Sequence, residues 1–334
     1  MPLVSLSFRV GRAVDNYQPS GANAVLADVT AVRKELLDHA ADAAAICAIN
    51  PWRPFFDIAF DWGVIVLACV LGFRQGVFGY VLALCAVGNR QRALGNLLHE
   101  ASHRNLHRAQ RFNDWLAEIF LAPALATDLG LYRASHSLHH AKLGIPGQDP
   151  DYVVPRCSGR GAWMETYWRE LTSRANWPRA VLGHFGDRRL TPHRHLWIAV
   201  WWAGAIMLCV WTKGAAFSLF FAGVWIGAKA TVFHAITVFR ELCDHFGLER
   251  GGIYSFTRDT CIGRCWRWII HPHNNGYHLS HHLMPSVPYY RLPSAQRVLS
   301  RLPSYAAGAV VCNAYLYGRD AVVRNRVKMP GFSN

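Results

Sequence analysis

The sequence predicts an all-α integral membrane protein with four transmembrane helices, arranged as two hairpins beneath a cytoplasmic helical cap. Three observations predict this fold class. The 334 residues are 52% hydrophobic and only 17% charged, whereas an average soluble domain is about 25% charged. The apolar residues are concentrated in four segments, and the basic residues that give the net charge of +14 lie mostly outside them. The 13% aromatic content also excludes a disordered chain.

The four apolar segments are short for membrane spans. Their uninterrupted apolar cores run for about 12 to 16 residues, whereas a full span needs about 20. Snorkelling Arg or Lys side chains and interfacial Trp side chains could lengthen each of them. Ionisable side chains within spans are costly unless they lie near an end or face protein; these are Asp57, Asp61 and Lys229. The predicted spans are Phe55–Phe73, Gly76–Leu94, Leu196–Trp211 and Gly214–Phe233.

Charge asymmetry predicts the orientation of these spans. Tight turns join the segments into two hairpins, and the only basic residues in these turns are Arg74 and Lys213. The stretches 89–195 and 237–334 carry most of the remaining Arg and Lys. By the positive-inside rule, the N-terminus, the central loop and the C-terminal region lie in the cytoplasm. A basic protein can also bind nucleic acid, but no basic stripe or reading motif accompanies the charge, so we expect no nucleic-acid partner.

The chain divides into three predicted parts. Residues 1–54 form a cytoplasmic N-terminal leader with one amphipathic helix at about 22–45, residues 55–302 form the membrane domain, and residues 303–334 form a cytoplasmic C-terminal tail. No apolar stretch followed by a small-residue cleavage site opens the sequence, so we expect no cleaved secretory signal. The nine cysteines are scattered without a CxxC pair, which is typical of reduced thiols rather than of a disulfide framework.

The 17 histidines are clustered, and the clusters have helical spacing. Residues at i, i+3 and i+4 share one face of a helix, so an HxxHH pattern is expected to direct three imidazoles to a single point and HxxxH to direct two. Core packing gives no reason for three such groups, since each buried ring needs a polar partner. The eight clustered residues are His99 and His103, then His136, His139 and His140, and finally His278, His281 and His282.

A metal ion supplies the polar partner that these rings need. Neutral imidazole is a ligand for iron, zinc and copper, and carboxylates are sparse around the clusters. One catalytic zinc ion uses about three protein ligands, so eight or nine histidines are the natural number for two metal ions. All three clusters lie on the cytoplasmic side of the predicted topology. The sequence therefore predicts a histidine-rich site for two metal ions in the cytoplasmic cap.

The same residues carry a resemblance to a known family. HEASH at 99–103, HSLHH at 136–140 and HLSHH at 278–282, followed by LMPSVPYYRLP, are similar to the histidine boxes of the membrane fatty acid desaturase family, which also includes lipid hydroxylases and ketolases. The resemblance covers most of the chain. It implies a four-helix membrane anchor and a cytoplasmic, histidine-ligated di-iron site. Within RELCDHFG it implies a ninth ligand, His245, although Asp244 stands where the family more often has Glu.

Carboxylates beside the boxes are candidates for orienting the ligands. A ligating imidazole usually donates its other N–H to a carboxylate or carbonyl group. The Asp-Pro-Asp sequence at 149–151 resembles a family feature, but a turn with capping aspartates fits it equally well. The asparagine before the third box could orient an imidazole or serve a turn, and His273 could also support the site. The candidates for this supporting role are Glu100, Asp149, Asp151, Asp244 and Asn275.

The resemblance implies an O2-dependent oxidoreductase that removes two hydrogens from adjacent carbons of a lipid acyl chain, with two iron ions as cofactor. One alternative is a lipid hydroxylase, and another is a desaturase of a small metabolite such as the vinylglycine-type precursor dihydrorhizobitoxine. We see no cytochrome b5-like or ferredoxin-like module. The expected partners are therefore the lipid bilayer and a separate ferredoxin-, rubredoxin- or cytochrome b5-type electron carrier. The expected location is a bacterial inner membrane, with the site facing the cytoplasm.

Two other protein classes fit part of the pattern. HEASH also satisfies HExxH, the zinc motif of metalloproteases, with Glu100 as the general base, but this interpretation leaves both HxxHH clusters unexplained. A metal transporter or store would use the histidines without catalysis, but transporters usually place ionisable residues within the spans. Product formation that depends on oxygen would distinguish a desaturase from both classes.

Overall fold

The computed structural model of the protein describes residues 21–156, 159 and 161–324, and most of their regular structure is helical. This confirms the predicted helical fold class. Within the described residues, strands are limited to a two-residue parallel pair, β1 (Asp259–Thr260) and β2 (Val311–Cys312). In chain order the helices are α1 Gly21–Glu35, α2 Ala40–Cys47, α3 Arg53–Phe73, α4 Gly76–Ser102, α5 Gln110–Phe120, α6 Leu129–Ala141, α7 Ala162–Leu171, α8 Asn176–Leu182, α9 Pro192–Lys213, α10 Ala215–Ala228, α11 His234–His245, α12 Ile253–Phe256, α13 Arg264–Ile270, α14 His278–Leu283, α15 Leu292–Leu299 and α16 Pro303–Gly308.

Three helical stretches among the described residues are long and apolar enough to cross a membrane. They are α3, α9, and the continuous stretch Ala215–His245, in which a π-helical segment at Lys229–Phe233 joins α10 to α11. Only 6% of the apolar window of α9 is buried inside the protein, and Trp211 and Leu219 are 84% and 76% exposed. Because exposed apolar surface of this extent is rare on soluble proteins, these helices indicate a membrane protein.

The fourth predicted span, Gly76–Leu94, lies within α4. Its apolar part is followed by Arg90 and Arg92, which are only 1% and 7% exposed. α4 packs closely on α3 after the turn: a Cβ on Gly72 would lie 2.7 Å from the carbonyl oxygen of Gly79, and small residues allow helices to approach in this way. That α4 crosses the membrane, and that the spans form two hairpins under a cytoplasmic cap, remain predictions.

The carboxylates within α3 face protein, as their cost in a membrane requires. Asp61 is fully buried and accepts a hydrogen bond from the Arg90 guanidinium at 2.9 Å, and its second oxygen lies 2.7 Å from Nε2 of His273. Asp57 accepts a hydrogen bond from the hydroxyl of Tyr289. The contacts of His273 and Tyr289 connect the segments before and after the third histidine cluster to α3.

Lys229, also costly in a span, caps backbone carbonyl groups. Its ammonium group donates to the carbonyl oxygens of Leu125 and Val181. Backbone carbonyl groups at membrane depth need such hydrogen-bond donors. The indole N–H groups of three tryptophans on the apolar helices also donate to backbone carbonyl oxygens, in the stretch 119–123 just before Leu125. The indole donors and carbonyl acceptors are Trp62 to Phe120, Trp201 to Ile119 and Trp202 to Pro123.

The segments that flank the apolar helices pack against the rest of the chain. The single helix predicted at about 22–45 is instead two helices, α1 and α2, separated by a 3₁₀ turn at Leu36–His39. Asp28 in α1 accepts a hydrogen bond from the backbone N–H of Ile253 at 2.6 Å, and β2 pairs with β1. The predicted C-terminal tail therefore contains residues that complete the region around the third histidine cluster. The cytoplasmic location of both flanking parts remains a prediction, and residues 1–20 and 325–334 lie outside the described residues.

Candidate metal centre

Nine histidines from four parts of the chain converge in one region. Those of the first cluster lie at the C-terminal end of α4, and those of the second lie along α6, whose first turn is capped by the Asp128 carboxylate at 2.8 Å from the backbone nitrogen of Leu131. α14 carries the third cluster, and His245 ends α11. They form two groups that could each hold a metal ion, with the ligand atoms of each group within 4.8 Å of one another. The first group is His99, His103, His136, His140 and His281, and the second is His139, His245, His278 and His282.

Each HxxHH cluster contributes to both groups, which corrects the expectation that its three rings meet at one point. His136 and His140, at i and i+4, join the first group, while His139 at i+3 joins the second. In the third cluster the assignment is reversed, because His278 and His282 join the second group and His281 joins the first. The reason is geometric: with 3.6 residues per turn, adjacent positions point about 100° apart around a helix.

The spacing of the imidazole nitrogens fits a coordination sphere. In the first group, Nε2 of His136 lies 2.8 Å from Nε2 of His103 and 3.1 Å from that of His140. In the second, Nε2 of His278 lies 2.9 Å from that of His245 and 3.0 Å from that of His282. Ligands about 2.1 Å from a metal ion and at right angles to one another are about 3 Å apart. The donor atoms therefore fit a metal ion in each group.

Hydrogen bonds to Nδ1 fix which nitrogen of several rings faces inward. Nδ1 of His245 lies 3.0 Å from the carbonyl oxygen of Phe256, which can only accept, so Nδ1 carries the proton and Nε2 presents its lone pair. Nδ1 of His139 lies 2.7 Å from the carboxylate of Asp149, and the same holds there. Nε2 of His99 is buried without any hydrogen-bond partner. An inward lone pair with no partner is what a bound cation would satisfy.

Protonation of these rings is disfavoured in most positions. Burial lowers the pKa of His136, His140 and His281 well below the ordinary value, and the neighbouring imidazoles lower it further. His139 differs: burial lowers its pKa, but the carboxylates of Asp151 and Asp149 together outweigh this effect and leave the pKa raised. Since a metal binds neutral imidazole, the low pKa values favour ligation.

The Glu100 carboxylate contacts a histidine ring and a backbone N–H group, and this arrangement orients the ring rather than activating a water molecule. It lies 3.2 Å from Nδ1 of His99 and accepts a hydrogen bond from the backbone N–H of Tyr289 at 3.0 Å. Burial raises its pKa to about 8, although the hydrogen bonds from Tyr289 and Asn105 lower it in part. Because it contacts Nδ1 of His99 and not Nε2, the geometry does not support the metalloprotease interpretation, in which Glu100 is the general base.

The remaining supporting candidates take different positions. Asp151 lies 3.8 Å from Nδ1 of His139, and Asp244 lies 3.8 Å from Nδ1 of His278. Asn275 does not contact an imidazole: its side-chain oxygen accepts from Arg240 at 2.8 Å. Arg240 in turn pairs with Asp244 at 2.9 Å, so Asn275 acts on the site only through that chain of contacts.

Sequence reasoning assigned no role to several residues that the structure brings to the site. His271 is fully buried, and its Nε2 lies 3.3 Å from Asp244. In the sequence, only its position before the third cluster could have indicated this role. The contact of His245 with the backbone carbonyl of Phe256 could not be predicted from the sequence, because every residue type has a backbone carbonyl. In contrast, His273 contacts Asp61, and His107 accepts a hydrogen bond from the backbone N–H of Ala109; both lie outside the two histidine groups.

Two comparisons relate this chain to known proteins. Residues 61–311 match a family model described as fatty acid desaturase. The chain is also 28% identical over 280 residues to a dihydrorhizobitoxine desaturase from Bradyrhizobium elkanii, and this similarity covers 75% of the chain and 76% of that relative. The family match includes all nine converging histidines.

Proposed function

The chain belongs to the fatty acid desaturase family, and on that premise we propose that it is an O2-dependent desaturase whose two histidine groups hold two iron ions. The observation that carries the proposal is the division of nine histidines into adjacent groups of five and four, with their donor nitrogens converging. When bound, two irons would supply the oxidising power for removing two hydrogens from adjacent carbons, with dioxygen as the oxidant.

The chain's own residues hold the ligands in the required form. Asp149 and the carbonyl of Phe256 keep the proton of His139 and of His245 on Nδ1, so that each Nε2 is free to bind. Glu100 links His99 to the backbone of the proline-rich segment after the third cluster. These contacts support catalysis by fixing ligand orientation, which strongly affects the metal affinity of such sites.

The similarity to a named relative bears on the substrate. A lipid acyl chain was the first expectation from sequence. The similarity to a dihydrorhizobitoxine desaturase extends over three quarters of both chains and favours the alternative, a small amino-acid-derived metabolite. Since the relative is named a desaturase, we favour loss of two hydrogens over hydroxylation. We further propose that a separate electron carrier reduces the site from the cytoplasm, and that the protein resides in a bacterial inner membrane.

Expression in a host with a simple lipid profile tests the proposal. Lipids and polar metabolites would be compared by mass spectrometry with and without oxygen, alongside the His139→Ala and His281→Ala variants. We expect a product lighter by two hydrogens that requires both oxygen and the two histidines. A product heavier by one oxygen would identify a hydroxylase instead. Lipid and metabolite profiles that are the same with and without oxygen would contradict both a desaturase and a hydroxylase.

A further inference from the structure

The short helix α14 carries three of the nine converging histidines but has no cap of its own. It spans only six residues, His278–Leu283, and the side chain of its N-cap residue, Tyr277, makes no capping hydrogen bond. The first backbone N–H groups of a helix have no partner within it, and a helix this short is not stable by itself in water. The position of α14 must therefore be set by groups from other parts of the chain.

The carboxylate of Asp259 on β1 caps α14 from outside the helix. It accepts hydrogen bonds from the backbone N–H of Ser280 at 3.0 Å and from the hydroxyl of the same residue at 2.6 Å. The hydroxyl of Tyr305 on α16 donates to it at 2.6 Å. The carbonyl oxygen of the adjacent Arg258 accepts from the N–H of Leu279 at 3.2 Å. Asp259 is fully buried, and a buried carboxylate is costly unless it is hydrogen-bonded in this way.

The same stretch of chain, residues 256–260, also contacts the C-terminal end of α11. Nδ1 of His245 lies 3.0 Å from the carbonyl oxygen of Phe256. The fully buried guanidinium of Arg258 donates to the carbonyl oxygen of Phe246, the residue that follows His245. Residues 256–260 therefore join α11 to α14, with hydrogen bonds to both helices.

The two histidine groups depend unequally on this connection. Three of the four ligands in the group of four lie on α11 or α14, namely His245, His278 and His282. The group of five takes one ligand, His281, from α14 and none from α11. A shift of α14 against α11 would therefore move most donor atoms of the group of four, but only one donor atom of the group of five.

We propose that Asp259 is a positioning residue for the group of four: its hydrogen bonds to Ser280 fix α14 against α11 and so set the iron affinity of that group. Asp259 acts through the backbone of α14 and through the hydroxyl of Ser280. Loss of a group that orients metal ligands typically lowers metal affinity about 10- to 100-fold. The inference rests on the proposed function, in which both histidine groups hold iron.

Competition between a chelator of known affinity and the full-length, iron-loaded protein in detergent tests the proposal. Two backgrounds separate the groups: His103→Ala vacates the group of five, and His139→Ala vacates the group of four. We expect Asp259→Ala to lower the iron affinity of the group of four about tenfold or more, and that of the group of five clearly less. Asp259→Asn should restore the affinity. Its amide oxygen still accepts from the N–H of Ser280, and its NH₂ group can donate to the hydroxyl oxygens of Ser280 and Tyr305.

Glu118→Ala is the matched control. The Glu118 carboxylate accepts from the Arg194 guanidinium at 2.6 Å and links α5 to α9, two helices that carry none of the nine histidines. Its removal should lower the thermal unfolding midpoint but leave the iron affinity of both groups unchanged. A merely structural role of Asp259 would give the same result as this control.

An equal loss of affinity in both groups, or no loss in the group of four, would overturn the proposal, as would an Asp259→Asn variant as weak as Asp259→Ala. If Asp259→Ala does not fold, Ser280→Ala decides, since it removes only the hydroxyl contact and should still weaken the group of four more than the group of five. An oxygen-dependent product together with unchanged affinities would remove this inference and leave the desaturase. The expected affinities without any oxygen-dependent product would retain the role of Asp259 and remove the desaturase.

Discussion

The imidazole rings of His140 and His282 stack with their centroids 4.1 Å apart and their planes 24° from parallel. The two residues belong to different histidine groups, the first to the group of five and the second to the group of four. The contact is therefore where the two groups adjoin. Because α6 and α14 each contribute to both groups, the relative position of these two helices determines both sites at once.

Removing one histidine from each group should lower the metal content in a group-specific way. We expect the wild type to hold two irons per chain, His281→Ala to lose iron from the group of five, and His139→Ala to lose iron from the group of four. Both variants should lose activity yet still insert in the membrane. Elemental analysis of the purified protein measures this. His107→Ala, outside both groups, should keep both irons, and full activity in His139→Ala or His281→Ala would contradict the site.

Asp149→Asn should weaken iron binding without unfolding the protein. The carboxylate holds the proton of His139 on Nδ1, and loss of such an orienting partner typically lowers metal affinity about 10- to 100-fold. Competition with a chelator of known affinity measures the change. Asp187→Asn provides the control, because that carboxylate pairs with the exposed Arg189. An unchanged iron affinity in Asp149→Asn would show that the contact does not orient the ligand.

Removal of iron should lower thermal stability reversibly. A ligand that binds only the folded state stabilises it, by about 2.7 kcal/mol at 100 times its dissociation constant. Chelation also leaves inward lone pairs such as Nε2 of His99 without a partner. Thermal unfolding in detergent, before and after chelation and after iron is restored, measures the shift. Identical midpoints in all three samples would count against a structural link between metal and fold.

Asp61→Asn should destabilise the protein by about 3–5 kcal/mol, since breaking a buried ion pair leaves an uncompensated charge. The charge left behind is Arg90, which is 1% exposed. The double variant with Arg90→Gln should lose less than the sum of the two single variants, because neither partner then remains charged. Unfolding free energies in mixed detergent provide the double-mutant cycle. Additive effects would indicate that the two residues act independently.

Two exposed cysteines test the predicted topology. Cys85 lies on α4, within a predicted span, and Cys265 lies on α13. In single-cysteine variants, a membrane-impermeant maleimide should label Cys265 in inside-out vesicles but not in right-side-out vesicles. Cys85 should stay unlabelled in both until detergent is added. Labelling of Cys265 only from the outside would reverse the proposed orientation.

Composition and residue spacing were sufficient to predict the class of protein and the set of histidines. Apolar segments that alternate with basic stretches indicated a membrane protein. Lipid favours apolar side chains and water favours charged ones, so the local composition shows which solvent surrounds each segment. The order and spacing of the three histidine boxes identified the family, which the family match confirms. Helical spacing also predicted that the imidazoles of each box lie on neighbouring parts of one helix surface, although it did not predict their division between two groups.

The division of the histidines into two groups, and the contacts that orient their rings, follow from the packing of distant helices. Helix geometry makes His139 and His140 point in different directions, but which histidines each of them meets depends on how α6 lies against α11 and α14, and spacing within α6 contains no information about that packing. The partners of the inward rings are equally remote: the carbonyl of Phe256 is a backbone group that every residue has, and Asn275 reaches Asp244 only through Arg240. Contacts between distant segments arise from the packing of whole helices, and local sequence patterns do not record it.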